Sequence, residues 1–210
     1  MEQKNICVLV SGGGTNLQAL IDAEKRGELG SGNITCVIAS KADAYALERA
    51  KNNGIKTRTL IRKEFSDIAS YSRAMRDILL EEKADLVVYA GFMTILDENV
   101  CDAFPNKMIN VHPALIPSFC GKGFYGLHVH EAALAKGVKV SGATVHFVTA
   151  ECDAGPIILQ KAVEVKTNDT PEILQKRIME NAEWKILPQA VQLFCDEKIT
   201  VKDGVTIIED

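Results

Sequence analysis

Three side chains in this sequence, Asn110, His112 and Asp153, could together move an acyl group. Asn110 and His112 lie in Met108-Ile109-Asn110-Val111-His112-Pro113-Ala114-Leu115-Ile116-Pro117, and Asp153 lies in Ala150-Glu151-Cys152-Asp153-Ala154-Gly155-Pro156. An amide and an imidazole can each donate a hydrogen bond to a developing oxyanion, and the imidazole can also carry a proton. A carboxylate beside that imidazole orients it and raises its pKa. Such a set suits acyl-type transfer through a tetrahedral intermediate without a metal or a covalent nucleophile. The plain alternatives are a histidine that only satisfies loop backbone groups and an aspartate that only shapes a turn.

A second candidate site is Ser11-Gly12-Gly13-Gly14-Thr15-Asn16. Glycines after a strand let backbone N–H groups turn toward an anion, and the following helix N-terminus adds a favourable field. The spacing matches neither GxGxxG nor a Gly-Lys-Ser/Thr phosphate loop, so a phosphate monoester is the expected ligand. Substituting Gly14 by Val is accordingly expected mainly to weaken nucleotide binding. His128 and His130 have a metal-like spacing without a third ligand nearby, and read as polar residues opening a helix. His146 reads as a packed strand residue, and Glu183 as a solvated position on a helix.

Positioning these residues requires alternating strands and helices. Strands are expected at Asn5 to Val10, Asn33 to Ser40, Lys56 to Leu60, Asp85 to Ala90 and Met108 to Val111. Helices are expected at Leu17 to about Arg26, Ala44 to Asn53, Ser66 to Glu82 and a short stretch to about Phe104. The run Asp85 to Ala90 is apolar on both faces, as in a buried parallel strand. If Met108 to Val111 is a strand, Asn110 and His112 share one side by the period of two, and Pro113 and Pro117 end it. The second half adds a helix at Leu127 to Lys136, strands at Val140 to Thr149 and Pro156 to Val165, and one long helix from Thr170 to Phe194. Short strands at Ile199 to Val201 and Val205 to Ile208 flank the hairpin signal Asp203-Gly204. The fold class is α/β: a doubly wound, mostly parallel, Rossmann-like sheet that continues into a C-terminal part with antiparallel strands and a long helix. One domain over residues 1–210 is expected, with a nucleotide-binding half (1–111) and a folate-binding and catalytic half (112–210), the folate assignment resting on the resemblance described below.

The composition is that of a globular protein: 210 residues, 47% hydrophobic and 25% charged. A net charge of -4 and a pI near 5.6 argue against a nucleic-acid partner. Six scattered cysteines without a CxxC pair read as reduced thiols. No apolar run is long enough for a membrane span, and the N-terminal one is too short for a signal peptide. A cytoplasmic protein without a metal is expected.

In order and spacing, SGGGTNLQAL, AGFMTIL, INVHPALIPSF, GLHVHEAAL, SGATVHFV and DAGPIILQ resemble the phosphoribosylglycinamide formyltransferases, of the folate-dependent formyltransferase family. These pieces span nearly the whole chain. The resemblance implies transfer of a formyl group from 10-formyltetrahydrofolate, as co-substrate, to the amine of glycinamide ribonucleotide in purine biosynthesis. It implies small-molecule partners, no membrane, and a monomer or weak homodimer. By the same resemblance Gly14, Thr15 and Asn16 match the phosphate loop, and Glu183 matches a glutamate that contacts the nucleotide. Asn110, His112 and Asp153 match the catalytic trio, with His112 expected to act as an imidazolium whose pKa Asp153 raises. Met93, Thr94, Ile95 and Leu96, with Asn110 and the loop Thr149 to Asp153, match the folate pocket, where Phe92 adds apolar surface. Thr94 and Ile68 stand where many members carry arginine. The segment Phe119 to Gly126 is longer than a related short form, and its Lys122 could meet an anionic substrate group. Formyltetrahydrofolate hydrolases and methionyl-tRNA formyltransferases are similar, but each usually has a further domain. A non-catalytic folate or nucleotide binder is the rival from another class.

Overall fold

A computed structural model describes residues 2–209. Its centre is a seven-stranded sheet in the order β3-β2-β1-β4-β5-β6-β7. The strands are β1 (Lys4–Val10), β2 (Gly32–Ala39), β3 (Lys56–Thr59), β4 (Leu86–Tyr89), β5 (Met108–His112), β6 (Val140–Phe147) and β7 (Ile157–Glu164). Strands β1 to β5 are parallel, while β6 runs antiparallel to β5 and β7 antiparallel to β6. The order reverses at β1, which has β2 on one side and β4 on the other. Crevices at such a reversal, beyond the carboxyl ends of the strands, are where open α/β sheets bind ligands.

Alternation along the strands builds two cores. Ile6, Val8 and Val10 face one layer, in which they pack with α1 (Thr15–Lys25), α2 (Tyr45–Asn52), α5 (Leu127–Lys136), α6 (Pro171–Ile178) and α7 (Trp184–Cys195). Cys7 and Leu9 face the other layer, with Tyr71, Met75 and Leu79 of α3 (Ile68–Glu81) and Val100 of α4 (Glu98–Ala103). That second core reaches β5 only at Met108. Further along the same face, β5 presents Asn110 and His112 to a cavity. The antiparallel hairpin of β8 (Ile199–Lys202) and β9 (Val205–Ile208) packs on the first layer through Ile199 and Val201.

One feature departs from the sequence expectation. The expected single helix from Thr170 to Phe194 is two helices joined by a π turn at Met179–Glu183. Thr170 caps α6 through its hydroxyl and Pro171 follows, as the sequence predicts. Downstream, Pro188 lies inside α7 and has no N–H for the carbonyl of Trp184. The residues of the widened turn that are buried are Ala182 and Glu183. The turn between β6 and β7 falls where the sequence places it. A Cβ on Gly155 would stand 1.9 Å from the Phe147 carbonyl oxygen, so only glycine lets this turn close and hold Asp153 against β6.

Candidate active site

The loops after β1, β4 and β5 close around a cavity of about 310 Å³. A hydroxyl cluster ties the ends of β1, β2 and β4 together: Ser11 Oγ lies 2.7 Å from Ser40 Oγ and accepts the Met93 N–H at 3.0 Å. The sequence-predicted residues Thr15, Asn16, Met93 to Leu96, Asn110, His112, Asp153 and Glu183 all lie in the cavity wall.

At its centre stand four polar residues rather than three. Asn110 pairs across β5 and β6 with His146, and its Nδ2–H donates to His146 Nε2 at 3.1 Å. His146 Nδ1 is 2.8 Å from its neighbour's carbonyl, Phe147 O, which can only accept, so Nδ1 carries the proton and Nε2 is the acceptor. Nε2 also lies 3.5 Å from Asp153 Oδ1. His146 is therefore not a mere packed strand residue, as its sequence context suggests. The signal for it was the cross-strand register with Asn110, which a single sequence does not display. The second Nδ2–H of Asn110 makes no bond among the described residues.

Asp153 has φ +56°, a left-handed conformation that aspartate tolerates better than most residues. Its Oδ2 accepts the Gly121 N–H at 2.8 Å and lies 3.6 Å from His112 Nδ1. Burial works to raise its pKa, but contact with His146, the Gly121 N–H and the field of His112 outweigh burial and bring it down to about 2. The carboxylate is firmly ionised.

His112 departs from expectation. Burial is the largest influence and holds its pKa below the ordinary histidine value, although Asp153 and the Phe119 carbonyl pull it up. The sequence reading had Asp153 raising it; a 4% exposed ring reverses the balance. His112 Nε2 lies 2.8 Å from Phe119 O, so Nε2 carries the proton and the neutral ring turns its Nδ1 lone pair toward Asp153.

The opposite end of the cavity is the glycine loop. Helix α1 starts after Gly14, and no side chain caps its first turn. Its leading N–H groups are therefore open to an anion. Gly14 itself has φ +71°, and a Cβ there would meet Ala46 Cβ at 2.6 Å. A substitution at Gly14 thus strikes the packing of α1 on α2 directly, in addition to any effect on a ligand. Asn16 Nδ2 donates to Glu183 Oε2 at 2.7 Å, which joins the loop to the π turn. Glu183 is buried, not solvated as a surface-helix position, and burial pushes its pKa up to about 7 against the pull of Asn16.

Between β4 and α4 the wall is apolar. Phe92 and Leu96 are buried, whereas Met93 and Ile95 are about half exposed and present their side chains at the cavity. Ile68 opens α3 outside the wall. His128 is exposed and pairs with Glu131 at 3.0 Å, in keeping with a polar helix start. His130 does not fit that reading: it is fully buried in the cavity wall, and neither ring nitrogen has a partner among the described residues.

Residues 4–191 match the family model described as formyl transferase. A Haemophilus influenzae protein named phosphoribosylglycinamide formyltransferase is 38% identical over 206 residues, covering 98% of this chain and 94% of the relative. Among solved structures, glycinamide ribonucleotide transformylase 1 from Symbiobacterium toebii superposes with a TM-score of 0.93 at 40% identity, covering 99% of this chain and 95% of that one. A formyltetrahydrofolate deformylase from Pseudomonas syringae superposes with a TM-score of 0.89 at 26% identity, covering all of this chain and 67% of its own.

Proposed function

This chain belongs to the formyl transferase family, and on that premise we propose how its site performs the family reaction. The protein is an enzyme of purine biosynthesis that transfers the formyl group of 10-formyltetrahydrofolate to the amine of glycinamide ribonucleotide. The roles of individual residues are our reading of the geometry. The phosphate of the nucleotide sits on the uncapped N-terminus of α1 at Gly14, Thr15 and Asn16, where peptide dipoles favour negative charge. Glu183, held by Asn16, accepts a hydrogen bond from a ribose hydroxyl or from an N–H of the glycinamide end. The pterin ring lies in the apolar slot of Phe92, Met93, Ile95 and Leu96, with Thr94 and the loop Thr149 to Asp153 completing it.

The neutral amine attacks the formyl carbon, and the carbonyl oxygen becomes an oxyanion. Asn110 stabilises it with the N–H that His146 leaves free, and removing one such donor costs on the order of 100- to 1000-fold in turnover. His112, favoured as an imidazolium by the charge of Asp153, takes up the proton lost by the amine and returns it to the folate nitrogen as the adduct collapses. His112 adds its own hydrogen bond once Nε2 leaves the Phe119 carbonyl. The observation that carries this reading is Asn110 with a free N–H, backed by His146 and flanked by the His112–Asp153 pair. Two small molecules are the proposed partners, and the net charge of -4 supports the absence of nucleic acid. Six free thiols support a reducing, cytoplasmic compartment.

The test mixes purified protein with 10-formyltetrahydrofolate, with and without glycinamide ribonucleotide, and follows the deformylated folate by absorbance. Amine-dependent release is expected, with Asn110→Ala abolishing it while nucleotide affinity stays near wild type. Release independent of the amine would make the protein a deformylase instead.

A further inference from the structure

Both substrates of formyl transfer are anions: the nucleotide bears a phosphate and the folate ends in a glutamate. The charges available in the cavity wall do not serve them equally. The phosphate has the open amides of α1, and Arg49 stands behind that loop with its Nε donating to Gly13 O at 2.8 Å and Nη1 to Gln18 Oε1 at 3.1 Å. Arg49 therefore stiffens the loop and adds positive potential there. The remaining wall is acidic, with Asp153 ionised and Glu183 titrating near neutrality. Among the described residues, Lys122 is the only lysine or arginine in the wall.

Its position ties it to the other end of the cavity. Lys122 stands between Gly121 (φ +86°) and Gly123 (φ +96°), so the chain turns sharply on both sides of it. The Gly121 N–H is fastened to Asp153 Oδ2 at 2.8 Å, which sets the base of this turn beside Cys152 and Asp153. Lys122 itself is exposed, so its ammonium keeps its hydration until a ligand arrives, and its four-carbon stem can follow a flexible tail. Among the cations of the wall, this ammonium is the one available to a carboxylate of the folate bound in the apolar slot.

We propose that Lys122 recognises the glutamyl carboxylate end of the folate co-substrate and so sets the preference of this enzyme for glutamylated folates. The inference rests on the formyl-transfer reading given above.

The experiment compares wild type, Lys122→Ala and Lys122→Arg, varying one substrate at saturating levels of the other. The folate is used in two forms, 10-formyltetrahydrofolate and the truncated 10-formyltetrahydropteroate, which lacks glutamate. Lys122→Ala should raise KM for the full folate about fivefold to thirtyfold, the range for one partly screened charge-assisted contact. It should leave kcat and the nucleotide KM within about twofold, and Lys122→Arg should retain most of the wild-type affinity. With the pteroate, wild type and Lys122→Ala should be indistinguishable, and raised salt should shrink the difference seen with the full folate. An unchanged folate KM, an equal loss with the pteroate, or a rise confined to the nucleotide KM would each overturn the proposal. A wild type that turns over neither folate would instead sink the formyl-transfer reading, so the two failures are distinguishable.

Discussion

Replacing His146 by phenylalanine isolates what the cross-strand pair contributes to catalysis. The ring is 2% exposed and makes two hydrogen bonds, to Asn110 Nδ2 at 3.1 Å and to Phe147 O at 2.8 Å. Phenylalanine keeps the aromatic volume and the strand preference but removes the acceptor. Asn110 then has a part-buried N–H without a partner, worth about 1–3 kcal/mol. The amide can recover that energy only by rotating, which withdraws the other N–H from the oxyanion. The loss therefore appears in the transition state, and at 1.36 kcal/mol per tenfold it amounts to about 5- to 150-fold in kcat. Nucleotide and folate affinities should move far less, because neither ligand is held by His146. The assay is kcat at saturation in both substrates, with thermal unfolding as the check on folding; a glutamine at this position, which offers an acceptor oxygen, should recover part of the rate. A folded phenylalanine variant that keeps kcat within about threefold of wild type would refute the claim that His146 orients Asn110.

Other outcomes follow from the same geometry. Because burial depresses the His112 pKa, kcat should be flat through pH 7–8 and fall only on the acid side, below the ordinary histidine range; an alkaline limb near pH 8 would mean that the working form is the imidazolium. Gly14→Ala should cost about 1–2 kcal/mol for its left-handed φ and about 1–3 kcal/mol for the clash with Ala46, lowering Tm by about 4–20 °C. An unchanged Tm would show that the loop relaxes freely. Glu183 has a folded pKa of about 7 against 4.5 for the free group, so the folded state holds its proton longer. Stability should decline as pH rises from about 4.5 to 7 and stay low above that, by on the order of 3 kcal/mol. Glu183→Gln should remove this decline in denaturant titrations at pH 5 and 8, and a wild-type slope surviving in the variant would refute it.

The sheet was legible because its strands carry local signals. Asp85 to Ala90 is apolar on both faces, Ile6 to Val10 alternates between two cores, and Asp203-Gly204 marks a hairpin. Strand ends fall within a residue or two of those expected for the same reason. What was not legible depends on contacts distant in sequence. His146 gained its role from register with Asn110, 36 positions away. Glu183 lies buried in a π turn, which shifts the helical phase by a residue and is invisible to a 3.6-residue pattern. Gly14 looked like a ligand-binding glycine, yet Ala46 also requires it, and no local rule couples those positions.

The direction of the His112 shift bears most on the chemistry. A permanently protonated His112 would stabilise the oxyanion but could not accept the proton that the attacking amine must lose. A ring kept neutral by burial, with its Nδ1 lone pair turned toward Asp153 at 3.6 Å, can accept that proton directly or through one water. Asp153, with a pKa of about 2, is too weak a base to keep the proton, but its fixed charge favours the imidazolium as soon as it forms. Positive charge then appears on His112 at the moment negative charge appears on the oxygen held by Asn110. This order requires Asp153 to stay ionised while His112 starts neutral. Burial acts on both groups, but at the carboxylate it is outweighed by the contact with His146 and by the Gly121 backbone N–H. The His146 contact and the Gly121 amide together separate the two pKa values, so the loop that carries Lys122 also bears on the protonation order at the reacting centre.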